Sequence, residues 1–254
     1  MPRIYFGPRA FDAQLVIFDK DGTLIDFAHL WGAKTIAGVE ALMQAADAAA
    51  RTPALRADLY ALLGYDPAQH CFDRHSPVLT APMSKLYTLA AGALYRHGWG
   101  WLEAELLVER HFAPAMHAAF DPAMLRPIAN LPALFGALHA AGVTLAVITS
   151  DDRDPTLTTL AWLGVAEQVR FVAGADDPYA HKPAPDAVWA ACATLGVEPA
   201  ATAYVGDSTT DMLTAQRAGV GLRVAVCTGL MDAATLASHA HVVLDSIAAI
   251  RIGI

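Results

Sequence analysis

Short apolar runs alternate with helical periodicity over most of the chain. Leu15–Phe18 is apolar throughout and stops abruptly at Asp19, Lys20, Asp21 and Gly22. A short apolar run with β-branched residues, ended by a turn glycine, predicts a buried strand. Val143–Ile148 repeats the pattern and ends in Thr149, Ser150 and Asp151. The preceding "LPALFGALHAAG" predicts a helix capped by Gly142, and the following "TLTTLAWLGV" predicts another that closes at Gly164. A strand is expected over 169–174, then a helix entered through the prolines of "HKPAPDAVWAACATLGV". Ala203–Val205 predicts a further strand, followed by a turn and a helix that closes at Gly219. "LRVAVCTG" and "HVVLDS" predict the last two strands. This alternation implies an α/β fold with a parallel sheet covered on both faces. Ligands of such sheets gather outside the carboxyl ends of the strands.

The segment from Phe27 to His117 reads differently. "LWGAKTIAGVEALMQAADAAAR", Pro53–Tyr65, Met83–His97 and Trp101–His111 carry helical spacing, with no convincing strand. A Pro-containing stretch, 114–127, bounds the segment. The expected organisation is a discontinuous α/β core, 1–26 with 115–254, and a helical domain, 27–114, inserted after the first strand. The irregular "DPAQHCFDRHSPVLTAP" lies in the middle of the insertion. No internal repeat stands out beyond the alanine enrichment.

Composition narrows the class. Of 254 residues, 55% are apolar, but much of that is alanine in helical segments. The longest strongly apolar runs have strand length, far short of the roughly 20 residues of a membrane span. The N-terminal "MPRIYFGPRAFDAQ" lacks the apolar core and cleavage site of a secretory signal. Cys71, Cys192 and Cys227 are odd in number, far apart and outside any CxxC pair. They read as reduced, mostly buried residues of a cytoplasmic protein, with no zinc site. The net charge is -8 with no Lys/Arg run, so no nucleic-acid partner is expected. Lysine is confined to Lys20, Lys34, Lys85 and Lys182.

Four polar clusters stand at predicted strand ends or helix starts: Asp19 with Asp21, Thr149 with Ser150, Lys182, and Asp207 with Asp211. Each alone has a plainer reading. Asp-x-Asp-Gly is a common turn, Thr-Ser-Asp and Gly-Asp-Ser cap helices, and a lysine before prolines is often a solvated surface residue. Their joint occurrence points elsewhere. Two carboxylates ending one core strand resist ionising together unless a cation or a lysine offsets them. Asp19 and Asp207 could share a hard cation, for which Mg²⁺ suits carboxylates, backbone oxygens and water. Lys182 would add positive charge beside them. Such a site suits phosphoryl transfer, with a carboxylate as nucleophile.

"DKDGTL", "VITS", "HKP" and "GDSTTD" resemble, in order, the four motifs of the haloacid dehalogenase (HAD) superfamily, and most closely its phosphoglycolate-phosphatase-like members. The resemblance covers nearly the whole chain. It implies a Rossmann-like core with a helical C1-type cap after the first motif. It also implies a phosphatase for small phosphomonoesters that uses Mg²⁺. Asp19 would be the nucleophile and Asp21 the general acid, then base, with its backbone carbonyl on the metal. Thr149 would bind a phosphoryl oxygen and Lys182 would hold the phosphate and restrain Asp19. Asp207 would ligate the metal, and Asp211 would do so through water or anchor Lys182. Backbone N–H groups near Gly22 and Ser150 would complete the phosphate cradle. Dehalogenase-like members lack the second aspartate, because a halide leaves without a proton. Asp21 therefore favours an oxygen leaving group. Lys20 fills a slot that is often Phe, Leu or Met, and its side chain is expected either to point away from the site or to line its mouth.

No second cap fits between Thr149 and Lys182, which leaves the helical insertion as the lid and the seat of specificity. Within 73–85, Arg74, His75, Ser76 and Lys85 could reach an anionic or hydroxylated substrate; the plain alternative is a solvated connector. Trp31, Trp99 and Trp101 read as packing within the insertion. The partner is a small phosphorylated metabolite, and the protein a monomer or homodimer. A sugar-phosphate mutase of the same family, or a non-catalytic binding protein on the same fold, remain as alternatives.

Overall fold

A computed structural model describes residues 3–46, 52–79, 81, 83–118 and 122–253. The end of the first expected helix (47–51), positions 80 and 82 of the specificity segment, and 119–121 of the Pro-containing stretch lie outside the described residues. The chain opens with β1 (Ile4–Phe6), β2 (Arg9–Phe11) and β3 (Leu15–Phe18). It continues through α1 (Phe27–Ala45), α2 (Pro53–Leu63), β4 (Tyr65–Asp66), β5 (Cys71–Phe72), α3 (Met83–Arg96), α4 (Trp101–Leu107) and α5 (Ala113–His117). Alternation then sets in with α6 (Leu131–Ala140), β6 (Thr144–Ile148), α7 (Arg153–Trp162), β7 (Val169–Ala173) and α8 (Asp186–Leu195). It ends with β8 (Thr202–Gly206), α9 (Thr209–Ala218), β9 (Leu222–Val226), α10 (Ala233–Ala237), β10 (Val242–Leu244) and β11 (Ile250–Ile252). Two compact units result: 1–26 with 126–254, and 27–125.

The first unit is an α/β, Rossmann-like core. Its parallel sheet has the order β10-β9-β8-β3-β6-β7. β3 is central and buried on both faces, which is why its sequence is an unbroken apolar run rather than an alternating one. Val16 and Phe18 join one cluster with Leu131, Phe135 and Leu138 of α6. Leu15 and Ile17 join the other with Val188 and Ala191 of α8 and Met212 and Ala215 of α9. Phe18 stacks on Phe135 with ring centroids 5.1 Å apart.

Three features depart from the sequence-based expectation. First, a separate antiparallel sheet, β11-β1-β2, precedes and follows the main one. Its strands are three residues each, too short for periodicity to mark them. Second, the helical unit contains a hairpin, β4 with β5, where no strand was expected. The Asp66 carboxylate closes its turn by accepting from the N–H groups of Ala68 and Gln69 at 2.8 and 3.1 Å, and the Tyr65 and Phe72 rings meet at 4.7 Å. Third, α4 does not stop before Pro114. A wide turn, Val108–Phe112, carries the helix into α5, with the Ala113 N–H donating to Val108 O. The widened turn absorbs the hydrogen bond that Pro114 cannot make. α5 then packs on α1, so 115–125 belong with the helical unit rather than the core.

Among the described residues, no helix is long and apolar enough to cross a membrane. The cysteines are free; Cys192 is buried, whereas Cys71 and Cys227 are only half-buried. Trp99 is buried and Trp31 stacks on Phe27, but Trp101 is 44% exposed beside Tyr95.

Candidate active site

Sheet register brings the polar clusters together. Phe18 is level with Val147 of β6 and Val205 of β8, so the three strands release their chains at nearly the same height. Asp19 leaves β3 with its N–H donating to Val205 O at 2.9 Å. Thr149 leaves β6 with its N–H donating to Ala173 O at 3.0 Å. Asp207 leaves β8 one residue beyond Gly206.

Lys182, on the loop between β7 and α8, is the hub. Its Nζ lies 2.7 Å from Asp19 Oδ1 and 2.7 Å from Asp211 Oδ1, with its side chain only 7% exposed. Burial works against the ammonium, but Asp19 and Asp211 outweigh it and hold Lys182 well above its usual range. Asp211 has each oxygen engaged. Tyr204 Oη donates to Oδ1 at 3.2 Å, while Ser208 donates to Oδ2 from its backbone N–H at 3.2 Å and from its hydroxyl at 2.6 Å. The Asp211 N–H returns a bond to Ser208 Oγ at 3.1 Å, which closes a capping box at the start of α9. Of the two expected roles for Asp211, the geometry matches the anchor of Lys182.

Asp19, Asp207 and Asp211 present carboxylate oxygens within 4.8 Å of one another. Burial pushes Asp19 up to about 7, against the pull of Lys182 and helped by Asp211. Burial, with the charges of Asp19 and Asp211, also pushes Asp207 well above the usual carboxylate range. Three carboxylates with one ammonium between them form an oxygen-only set short of positive charge, and that donor chemistry fits a hard divalent cation. The backbone leaves room around Asp207: Gly22 has φ +82, and a Cβ at Gly22 or Gly229 would overlap the Asp207 carboxylate. Thr23 Oγ1 donates to Asp207 Oδ1 at 3.4 Å.

Some expected contributions take another form. The Gly22 N–H donates to Ile25 O at 2.8 Å inside its own turn. Gly22 serves through its positive φ and its missing Cβ. Thr149 is buried and accepts the Asp151 N–H at 3.1 Å, while Ser150 is exposed. Lys20 neither points away nor lines a mouth. It is 0% exposed, with Nζ 2.9 Å from both Asp21 Oδ2 and Asp151 Oδ2. In the helical unit, Arg74, His75 and Lys85 are exposed. Ser76 is not available to a substrate. It is buried, donating to Leu63 O at 2.7 Å and accepting from the Val78 N–H at 3.1 Å.

Three contributors escaped the sequence reading. Tyr204 supplies a ring 5.6 Å below Lys182 Nζ and a hydroxyl to Asp211, and its one trace is a polar group within an apolar strand. Asp151 pairs with Lys20; the scarcity of lysine was the available signal. Thr228 donates to Gly22 O at 2.6 Å from a loop with no motif around it.

Phosphoglycolate phosphatase of Rhodospirillum rubrum is 42% identical over 88 residues, covering 35% of this chain and 36% of that protein. N-acetylmuramic acid 6-phosphate phosphatase of Pseudomonas aeruginosa is 30% identical over 94 residues, covering 37% of this chain and 42% of that protein. The chain thus matches well under half the length of these curated relatives. The crystal structure of a HAD-superfamily hydrolase of subfamily IA from Geobacter sulfurreducens has the same fold, with a TM-score of 0.61 at 15% identity over 94% of this chain and 95% of that one. A family model for haloacid dehalogenase-like hydrolases matches residues 13–219, from the turn before β3 to the end of α9. Every polar cluster described above except Thr228 lies inside that span, and the chain belongs to the haloacid dehalogenase-like hydrolase family.

Proposed function

We propose that the chain is a Mg²⁺-dependent phosphatase that hydrolyses a small phosphomonoester through an aspartyl-phosphate on Asp19. The observation that carries this reading is Lys182 held 2.7 Å from Asp19 at the end of the central strand, with Asp21 two residues on. Asp19 attacks phosphorus as the ester P–O bond breaks. Asp21 gives its proton to the departing alkoxide. Asp21 then takes a proton from water, whose oxygen displaces Asp19 and frees inorganic phosphate. Lys182 offsets phosphate charge and keeps Asp19 oriented, and Thr149 and Ser150 supply hydrogen bonds to the phosphoryl oxygens. Asp19, the Asp21 backbone carbonyl and Asp207 would hold the cation, with Asp211 behind Lys182. Bound there, Mg²⁺ would neutralise charge on the phosphoryl oxygens.

The named activities of the two curated relatives support a small metabolite ester as substrate. The helical unit, through Arg74, His75 and Lys85, is the part proposed to choose among esters. The test is phosphate release from a panel of phosphomonoesters, including phosphoglycolate and an aryl phosphate, with Mg²⁺ or with EDTA. Release that needs Mg²⁺ and vanishes in Asp19→Asn supports the reading. Release that survives Asp19→Asn overturns it, and an isomeric sugar phosphate in place of inorganic phosphate identifies a mutase.

A further inference from the structure

Lys20 is a buried cation at a position where an apolar side chain would fill the same space. Burying an ammonium is costly unless it is paired, and a buried pair is weak evidence for stability alone. Here the pairing is complete: Nζ sits 2.9 Å from Asp21 Oδ2 and 2.9 Å from Asp151 Oδ2. With 0% exposure, Lys20 cannot meet a substrate where it stands. Its action must pass through Asp21.

Asp151 is well fixed. Its N–H donates to Thr149 Oγ1 at 3.1 Å, its Oδ1 accepts the Asp152 N–H at 2.9 Å, and its carbonyl accepts the Ala175 N–H at 2.8 Å. The Lys20 carbonyl is also fixed, accepting the Leu24 N–H at 2.8 Å. A rigid path therefore runs from the end of β6 through Asp151 and Lys20 to the Asp21 carboxylate.

We propose that Lys20, braced by Asp151, is a positioning residue that sets the orientation of Asp21 toward the leaving oxygen. This rests on the phosphatase reading above. The clamp holds Oδ2 against Lys20 and so fixes the plane in which the Asp21 carboxyl group meets the departing alcohol. Turning Asp21 away would break a buried ion pair. A misplacement of about 1 Å in a reacting group costs on the order of 100-fold in rate, which makes such a clamp worth its burial.

The test compares two esters. Phosphoglycolate has an alkoxide leaving group that needs a proton, whereas 2,4-dinitrophenyl phosphate has one that leaves unaided. The readout is kcat/KM, which covers the steps up to departure of the alcohol and omits the later hydrolysis of the aspartyl-phosphate. Lys20→Met is expected to lower kcat/KM for phosphoglycolate by about 30-fold and for the dinitrophenyl ester by less than about 3-fold, within the reach of general acid catalysis. Asp151→Asn, a near-isosteric change at a partly exposed position that leaves Lys20 its Asp21 partner, is expected to give the same asymmetry. Lys20→Met added to Asp21→Asn is expected to cost nothing further on phosphoglycolate. An equal fall on both esters, in Lys20→Met or, should that variant not fold, in Asp151→Asn, overturns the proposal. A wild type that cleaves the aryl ester and no alkyl ester also overturns it. A wild type that cleaves neither ester removes the phosphatase reading itself, and the proposal with it.

Discussion

The two units bury their charged pairs to different depths: in the helical unit Asp58 with His97 and Glu40 with Arg56 sit partly in solvent. In the α/β unit, buried charges face one another: Lys182 meets Asp19 and Asp211, and Lys20 meets Asp21 and Asp151. The buried Lys34 of the helical unit also reaches the backbone: it donates to Met116 O at 2.8 Å and lies over the Trp31 ring. Its other candidate groups, Arg74, His75 and Lys85, stand in solvent. Charges buried against each other impose a geometry, while charges in water leave one open. The first arrangement suits a reaction with fixed demands, and the second suits a surface that chooses among ligands.

The largest test of that contrast is Asp19→Asn. It removes the proposed nucleophile, and phosphate release is expected to fall by at least about 1,000-fold on every ester, measured under saturating Mg²⁺. A variant that kept activity on some esters would erase the division of labour. Lys182→Met comes next, because it leaves Asp19 and Asp211 buried without their counter-charge. Breaking such a pair costs about 3–5 kcal/mol, so calorimetry at neutral pH is expected to show a melting temperature lower by roughly 10 °C, with activity lost as well.

The third test is titration without metal. Burial holds Asp19 at about 7 in the folded chain against 3.8 as its ordinary value. Between those values the folded state keeps a proton that the unfolded state has lost. Stability in EDTA is therefore expected to fall as pH rises from 4 to 7 and to level off above. On the proposed metal site, Mg²⁺ is expected to reverse the loss at pH 7.5, by about 2.7 kcal/mol at a hundredfold excess over its Kd. A stability that rises with pH in EDTA would contradict the burial of an unbalanced carboxylate set.

Smaller effects follow. Ser208→Ala removes both the cap of α9 and one partner of Asp211, and is expected to cost about 1 kcal/mol in denaturant unfolding. Arg74→Ala, His75→Ala and Lys85→Ala are expected to leave stability within about 0.5 kcal/mol. Their effect is expected in KM, by less than about tenfold and unequally across esters, with kcat little changed. A uniform loss of kcat in any of them would place chemistry in the helical unit.

The same contrast explains what could be read from the sequence. Asp19, Thr149, Lys182 and Asp207 each follow an apolar run or precede a helix, so periodicity alone puts them at strand ends or ahead of a helix start. Register does the rest, and register follows from a sheet buried on both faces. Gly22 was visible as a residue but not its purpose, since only the position of Asp207 reveals why a Cβ is excluded. Lys20 was visible as a departure, yet its partner Asp151 lies far away in the chain. Tyr204, a polar group in an apolar strand, and Thr228 act through contacts that no motif marks. In the helical unit, β4 and β5 are shorter than any period, and the wide turn before Pro114 reads in sequence as a helix end.

The burial of lysine has a practical consequence. Lys20 and Lys34 are buried, the Lys182 side chain is 7% exposed, and Lys85 on α3 is exposed. Amine-directed reagents will therefore label or tether the folded protein at one lysine, Lys85. Biotin or a fluorophore attached at Lys85 sits on the helical unit and leaves the carboxylate cluster chemically intact. Dye found on a second lysine by peptide mapping then reports loss of the native fold.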